Sequence, residues 1–231
     1  MALYAIGDLH LSLGAPKPMD IFGGAWTGYM DKLKEGLACI GPDDTTVLLG
    51  DLSWALSLED SEPDFAFINK IPGRKIILKG NHDYWWTTVS KFDKFCQANG
   101  FSNMHILNNN HFEYEGIAIC GTRGWFYEEE KNGEHDAKIM RREIMRLETS
   151  LKAAGDRKKL VFLHYPPIFL SYRCAEIIEL LKQYEVRLCC YGHIHGKGCS
   201  VAFNGWSGGT EYKLVSADHV NFEPVKLLDR I

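Results

Sequence analysis

Eight side chains in this sequence could carry metal and acid–base chemistry if they met in space: Asp8, His10, Asp51, Asn81, His82, His164, His193 and His195. They fall in an ordered set: Asp8-Leu9-His10, Gly50-Asp51, Gly80-Asn81-His82-Asp83, His164 and Gly192-His193-Ile194-His195. Two carboxylates, an amide and several imidazoles make a nitrogen–oxygen donor set. Such a set suits Mn, Fe or Zn and contains no soft thiolate. A carboxylate has two oxygens and can bridge two cations. Two cations about 3.5–4 Å apart can clamp the attacking and leaving oxygens of a phosphoryl displacement. Taken singly, each motif says little, because Asp-x-His triplets arise often by chance and a lone histidine is usually structural. The complete set in this order is much harder to obtain by accident.

The elements that must position these residues share one pattern. Ala2–Gly7 precedes Asp8, Thr45–Gly50 precedes Asp51, and Lys75–Gly80 precedes Asn81. In the same way Leu160–Leu163 precedes His164, and Leu188–Gly192 precedes His193. Each run has the length and the Leu, Ile and Val content of a strand buried on both faces. Each puts a ligand-capable side chain just beyond a strand's C-terminal end, where ligands gather in parallel α/β sheets. Helical stripes lie between, over Lys32–Ile40, Pro63–Ile71, Val89–Asn99, His135–Ala154 and Ala175–Tyr184. Their apolar faces read as ordinary core. Phe112–Tyr114 and Ile117–Gly121 have hairpin spacing around Glu115-Gly116. Val201–Phe203, Tyr212–Ser216 and Val225–Leu228 read as strands without intervening helices, with Gly205, Gly208 and Gly209 at turns. Strands alternating with helices argue for an α/β fold, and no repeat or linker divides residues 1–231, so a single domain is expected.

Composition narrows the function. The chain has 231 residues, 45% hydrophobic and 24% charged, enough for one sizeable core and unlike a disordered chain. The net charge of −4 lacks the basic excess of a dedicated nucleic-acid binder. Arg157, Lys158 and Lys159 form only a short basic patch. Seven cysteines, with no Cys-x-x-Cys spacing, suggest neither a disulfide framework nor a thiolate cage. Buried free thiols and a reducing, cytoplasmic location are the expectation. Cys189 and Cys190 would point to opposite faces of one strand. No basic leader precedes the first apolar run and no run approaches membrane-span length, so neither secretion nor a membrane is expected.

The motif set resembles that of the calcineurin-like metallophosphoesterase superfamily: D-x-H, G-D, G-N-H, a single His, then G-H-x-H. The resemblance runs from Asp8 to His195. Gly50-Asp-Leu-Ser-Trp-Ala and Lys79-Gly-Asn-His-Asp-Tyr-Trp-Trp are similar to a group of small bacterial predicted phosphohydrolases. The resemblance implies a four-layer α/β/β/α sandwich of two mixed sheets flanked by helices, with the C-terminal strands in the second sheet. It implies two divalent metal ions, with Asp8, His10 and His195 holding the first. Asp51 would bridge to the second, completed by Asn81, His164 and His193. His82 would lie beside the metals as a catalytic residue, donating to phosphate and giving its proton to the leaving oxygen. A metal-activated hydroxide would attack phosphorus in line. The substrate would be a small phosphomonoester or phosphodiester, with no covalent intermediate.

Departures from the pattern matter. In the phosphoprotein-phosphatase branch, the G-D motif continues with an acid that orients the G-N-H histidine and then a phosphate-binding arginine. Here Trp54 and Ala55 stand there. Asp83 is the nearest candidate to orient His82, and Arg123 could fork onto phosphate oxygens instead. Aromatics near the motifs, including Trp54, Tyr84 and Trp125, could line a substrate cleft. Two alternatives share this fold. A nuclease is disfavoured by the acidic charge. A protein-binding scaffold is disfavoured by the completeness of the ligand set.

Overall fold

Alternation along the strands decides which layer each side chain joins. In β1 (Ala2–Ile6), Leu3 and Ala5 enter one core while Ala2, Tyr4 and Ile6 enter another, because successive strand residues point to opposite faces. The computed structural model describes residues 1–126 and 133–229. The first half alternates strands and helices: α1 (Tyr29–Leu37), β2 (Thr45–Leu48), α2 (Glu62–Lys70), β3 (Arg74–Ile77), α3 (Val89–Ala98) and β4 (Met104–Ile106). A hairpin follows, β5 (Phe112–Tyr114) and β6 (Ile117–Thr122), turning at Glu115 and Gly116 with both φ values positive. The remainder is α4 (Gly133–Ala153), β7 (Lys158–Leu163), β8 (Ile168–Phe169), β9 (Tyr172–Arg173), α5 (Ala175–Gln183), β10 (Leu188–Tyr191), β11 (Gly205–Ser207), β12 (Thr210–Leu214) and β13 (Val225–Asp229).

Two mixed sheets result. The first runs β13-β1-β2-β3-β4, parallel except for β13. The second runs β11-β12-β10-β7-β6-β5, with a parallel centre and antiparallel edges. Between them lies a core of Leu3, Val47, Leu49, Ile76 and Leu78 against Ile119, Phe162, Leu188 and Cys190. Outside the first sheet, Leu33, Phe65, Ile68 and Phe92 of α1, α2 and α3 pack on Ile6, Leu48 and Ile77. Outside the second, Met140, Leu147 and Leu151 of α4 and Ile177 and Leu181 of α5 pack on Val161, Leu163 and Cys189. The fold is the four-layer α/β/β/α sandwich.

Two local readings are corrected. Residues 201–203 form no strand; Gly196–Val201 is a 3-10 segment, and β11 starts only at Gly205. The three-residue apolar run is too short to distinguish the two by periodicity. The last strand, β13, pairs with β1 in the first sheet and not in the second. The sheets are tied at one end, where Gly7 N–H donates to Val215 O and Ala217 N–H donates to Gly7 O.

All seven cysteines are free, and Cys189 and Cys190 do face opposite cores. Cys120, Cys189 and Cys190 are fully buried. Burial pushes the Cys120 thiol up to about 11, Cys190 to about 12, and Cys189 well above its ordinary value. These folded thiols keep their protons where the unfolded chain ionises. Their contribution is therefore complete below about pH 9 and is lost as pH rises through about 11–12, by about 3–4 kcal/mol per thiol. Lys75, lowered to about 8 by burial, works in the opposite sense, as does Lys79, which burial also lowers. Urea midpoints under reducing conditions are expected to fall steadily from about pH 9 to about pH 11.

Candidate metal centre

Five strand ends supply the site. Asp8 follows β1, Asp51 follows β2, Asn81 follows β3, His164 follows β7 and His193 follows β10. His10 and His195 lie two residues beyond Asp8 and His193. The loops approach closely because certain positions carry no side chain. A Cβ on Gly80 would stand 2.0 Å from Asp51 Oδ1, and one on Gly192 would stand 2.5 Å from Asp8 Oδ2. The backbone is also bent to aim the donors. Asp8, His10, Asp51 and His193 all have positive φ, between 46° and 71°. Such conformations cost about 1–3 kcal/mol each and persist at sites where the surroundings enforce them.

The donors form two groups. In each, ligand atoms lie within 4.8 Å of one another: Asp8, His10 and His195, then Asp51, His164 and His193. Asp51 Oδ2 is 3.8 Å from His10 Nε2 and 3.5 Å from His164 Nε2, so it stands between the groups. Asn81 Oδ1 is 2.7 Å from His164 Nε2 and 2.9 Å from His193 Nδ1. The donors are buried or half-buried, and among the described residues neither Asp8 nor Asp51 has a Lys or Arg ion-pair partner.

This donor set fits cations. His164 Nδ1–H donates to Leu49 O at 2.9 Å, which leaves the Nε2 lone pair of the neutral ring facing the Asn81 oxygen. His195 Nδ1–H donates to Asp218 Oδ1 at 2.8 Å, which turns its Nε2 to within 3.4 Å of His10 Nε2 and of Asp8 Oδ1. Converging lone pairs are reconciled by a shared cation, and an imidazole held through its other nitrogen is the usual form of a metal ligand. Without cations the crowded donors perturb one another's protonation. Burial opposes Asp8 ionisation, but His195, His164 and His10 outweigh it and hold the carboxyl below its ordinary range. Burial, with Asp83 and Asp8 nearby, pushes Asp51 up against the pull of His164. Burial lowers His10 far below its ordinary value and lowers His193 to about 3. For His195 burial is overcome by Asp8 and Asp218, which raise it to about 10.

Asp218 was missed in the motifs. It follows an apolar run, Tyr212–Ser216, as the other donors do, so the strand-end rule applied once more would have found it. Its Oδ2 also accepts from Gly196 N–H at 2.8 Å. Partners that orient a metal-binding histidine usually matter by about 10–100-fold in metal affinity. Asp218→Asn is expected to weaken Mn²⁺ binding by that factor in a calorimetric titration.

Asp83 does not orient His82. It is buried, and its two oxygens accept from Asp51 N–H, Gly80 N–H, Leu52 N–H and Trp85 Nε1–H, at 2.7–2.9 Å. His82 Nδ1 is buried without a hydrogen-bond partner among the described residues. Packing holds the ring instead. Trp54 lies 4.5 Å from it and stacks on His10 at 4.8 Å, while Trp54 Nε1–H donates to Met19 Sδ. His82 N–H also donates to Asp51 Oδ1 at 2.7 Å. Burial, the Lys17 charge and His164 lower His82 to about 4, which favours the neutral ring.

A cleft of about 730 Å³ opens over His10, Asp51, His82, His193 and His195, with Trp54 in its wall. Tyr84, Arg123 and Trp125, the other expected substrate contacts, do not line it. Tyr84 is exposed, its ring 6.2 Å from His82. Arg123 faces Glu143 at 3.5 Å and stacks over Trp125, and neither Arg123 nor Trp125 lines this cleft. Trp125 packs at 5.3 Å on Tyr165, whose ring is 4.3 Å from His193.

The chain is similar to known proteins. A sequence model of the calcineurin-like phosphoesterase family matches residues 1–197. A Coxiella burnetii protein named as a probable cyclic nucleotide phosphodiesterase is 21% identical over 201 residues, 82% of this chain and 74% of that protein. Among solved structures, the phosphopantetheinyl hydrolase PptH of Mycobacterium tuberculosis is similar, with a TM-score of 0.58 and 13% identity over 99% of this chain and 96% of that one. A Thermus thermophilus protein, TT1561, is similar at TM-score 0.55 and 14% identity, over 97% of this chain and 96% of that one. At such identities these structures speak for the fold alone. The family match spans every donor that the strand ends bring together apart from the supporting Asp218, and the chain belongs to the calcineurin-like phosphoesterase family of metal-dependent phosphoester hydrolases.

Proposed function

We propose that the chain is a dinuclear metal-dependent phosphohydrolase acting on a small phosphomonoester or phosphodiester. Asp8, His10 and His195 would hold one divalent cation and Asn81, His164 and His193 the other, with Asp51 between them. The observation that carries this reading is the convergence of seven nitrogen and oxygen donors from both sheets, with Asp51 within 3.8 Å of a histidine in each group. The Coxiella relative's name favours a diester.

Bound divalent cations would supply Lewis-acid charge for phosphoryl oxygens and an acidified water at neutral pH. The protein's own residues do the rest. His82 offers an N–H to a non-bridging phosphate oxygen, held in place by Trp54 rather than by a carboxylate. The charge of the bound phosphate favours protonation of His82, which lets it hand a proton to the leaving oxygen. Asp218 keeps the His195 lone pair aimed inward. The seven free cysteines support a reducing, cytoplasmic setting, and among the described residues no helix is long and apolar enough to cross a membrane.

The test is hydrolysis of p-nitrophenyl phosphate and bis-p-nitrophenyl phosphate with added Mn²⁺. Turnover that a chelator stops, and that His82→Ala lowers by about 10²–10⁴-fold, is the expected result. No turnover on either ester across Mn²⁺, Fe²⁺ and Zn²⁺ would sink the proposal.

A further inference from the structure

The wall of the cleft is chemically unlike its floor. Beyond the metal donors, His82 and Asp218, which is already engaged by His195, the one polar side chain that lines it among the described residues is Lys197. The rest of the wall is apolar or bare backbone, and Met19, Phe22, Ala25 and Trp26 supply its apolar side chains beside Trp54. Trp26 starts at the donors themselves, with its ring edge-on to His10 at 5.8 Å and to His195 at 5.7 Å. At the cleft's edge two large apolar side chains are exposed. Phe22 is 60% exposed and its neighbour Ile21 is 69% exposed. On the opposite side, Lys17 Nζ lies 3.1 Å from the centre of the Trp54 ring.

A ligand rich in hydroxyl or amide groups would leave them without partners along this wall, at a cost in binding. A hydrocarbon chain would lose nothing there and would cover the exposed Phe22 and Ile21. The charges add to the match, because Lys17 sits on the Trp54 ring and its charge acts on His82, so an anionic phosphate beside His82 would share that field. We propose that the organic group of the phosphoester is an alkyl or acyl chain, laid along Trp26, Phe22 and Ile21, with Lys17 reaching the phosphate. This rests on the phosphohydrolase reading for the position of the phosphate.

The experiment is calorimetric binding of methyl, butyl and octyl phosphate, with adenosine 5′-phosphate as comparison, to the full chain supplemented with Mn²⁺. Kd is expected to fall at least about tenfold from methyl to octyl. The double variant Ile21→Ser/Phe22→Ser, at exposed positions that spare the core, should shrink that fall to under about threefold. Lys17→Ala should weaken methyl and octyl phosphate alike. A Kd independent of chain length, an unchanged slope in the double variant, tighter binding of adenosine 5′-phosphate than of octyl phosphate, or no binding by any alkyl phosphate would overturn the inference. Because the readout is binding, an enzyme that fails to turn over aryl phosphates yet shows the chain-length slope would remove the hydrolase reading and leave the apolar wall.

Discussion

Asp51→Asn is expected to lower kcat/KM for an aryl phosphate at least about a thousandfold while the chain stays folded. Cationic charge stabilisation of a phosphoryl transition state is worth several kcal/mol, and each 1.4 kcal/mol is a factor of about ten. Asp51 stands between both groups, so in the proposed centre its charge would serve two cations at once. The substitution is mild for the backbone. Asparagine is among the residues that tolerate φ near 51°, and its Oδ1 can still accept from His82 N–H. The same change has the opposite sign for stability. The Asp51 carboxylate is buried near Asp83 and Asp8 without a Lys or Arg partner among the described residues, so without cations its charge opposes folding. In chelator the variant's melting temperature is expected to equal or exceed that of the parent chain. A variant that is inactive and also melts well below the parent in chelator would mark Asp51 as a structural residue.

Asp83→Asn is expected to act the other way, on the scaffold first. Asp83 Oδ2 accepts from Asp51 N–H and Gly80 N–H, and Oδ1 accepts from Leu52 N–H and Trp85 Nε1–H. An amide replaces one oxygen by an NH₂ group, and two buried N–H donors then face another donor. Breaking a buried charged network of this kind costs about 3–5 kcal/mol. For a chain of this length that is a fall in melting temperature of about 6–20 °C. The loss should appear equally with and without Mn²⁺, because Asp83 pins the loops after β2 and β3 and points at no donor lone pair. A variant with unchanged melting temperature but lost activity would return Asp83 to a direct role at His82.

The contrast between these two aspartates shows what the sequence could and could not convey. Asp51 was legible because it closes an apolar run, and that run fixes both its position and its company. The strand ends located Asp8, Asn81, His164 and His193 in the same way. Asp83 carries the same residue type next to a motif histidine, and only the direction of its side chain separates the roles. That direction is set by four N–H groups, two of them from the sequence-distant loop after β2, a pairing that no local pattern encodes. Trp54 is similar. Its replacement of an acid was visible, but its ring packing between His10 and His82 depends on how two loops pack. The helices were located within a few residues, because their stripes have the right period. The register of β13 against β1 was not, since an isolated five-residue strand can pair with either sheet edge.

The measurement that bears most directly on the central claim is an anomalous difference map from crystals grown with Mn²⁺. Two peaks about 3.5–4 Å apart are expected, one among Asp8, His10 and His195, the other among Asn81, His164 and His193, with the Asp51 carboxylate between them. A single peak, or peaks away from these side chains, in protein that hydrolyses phosphoesters would contradict the dinuclear account.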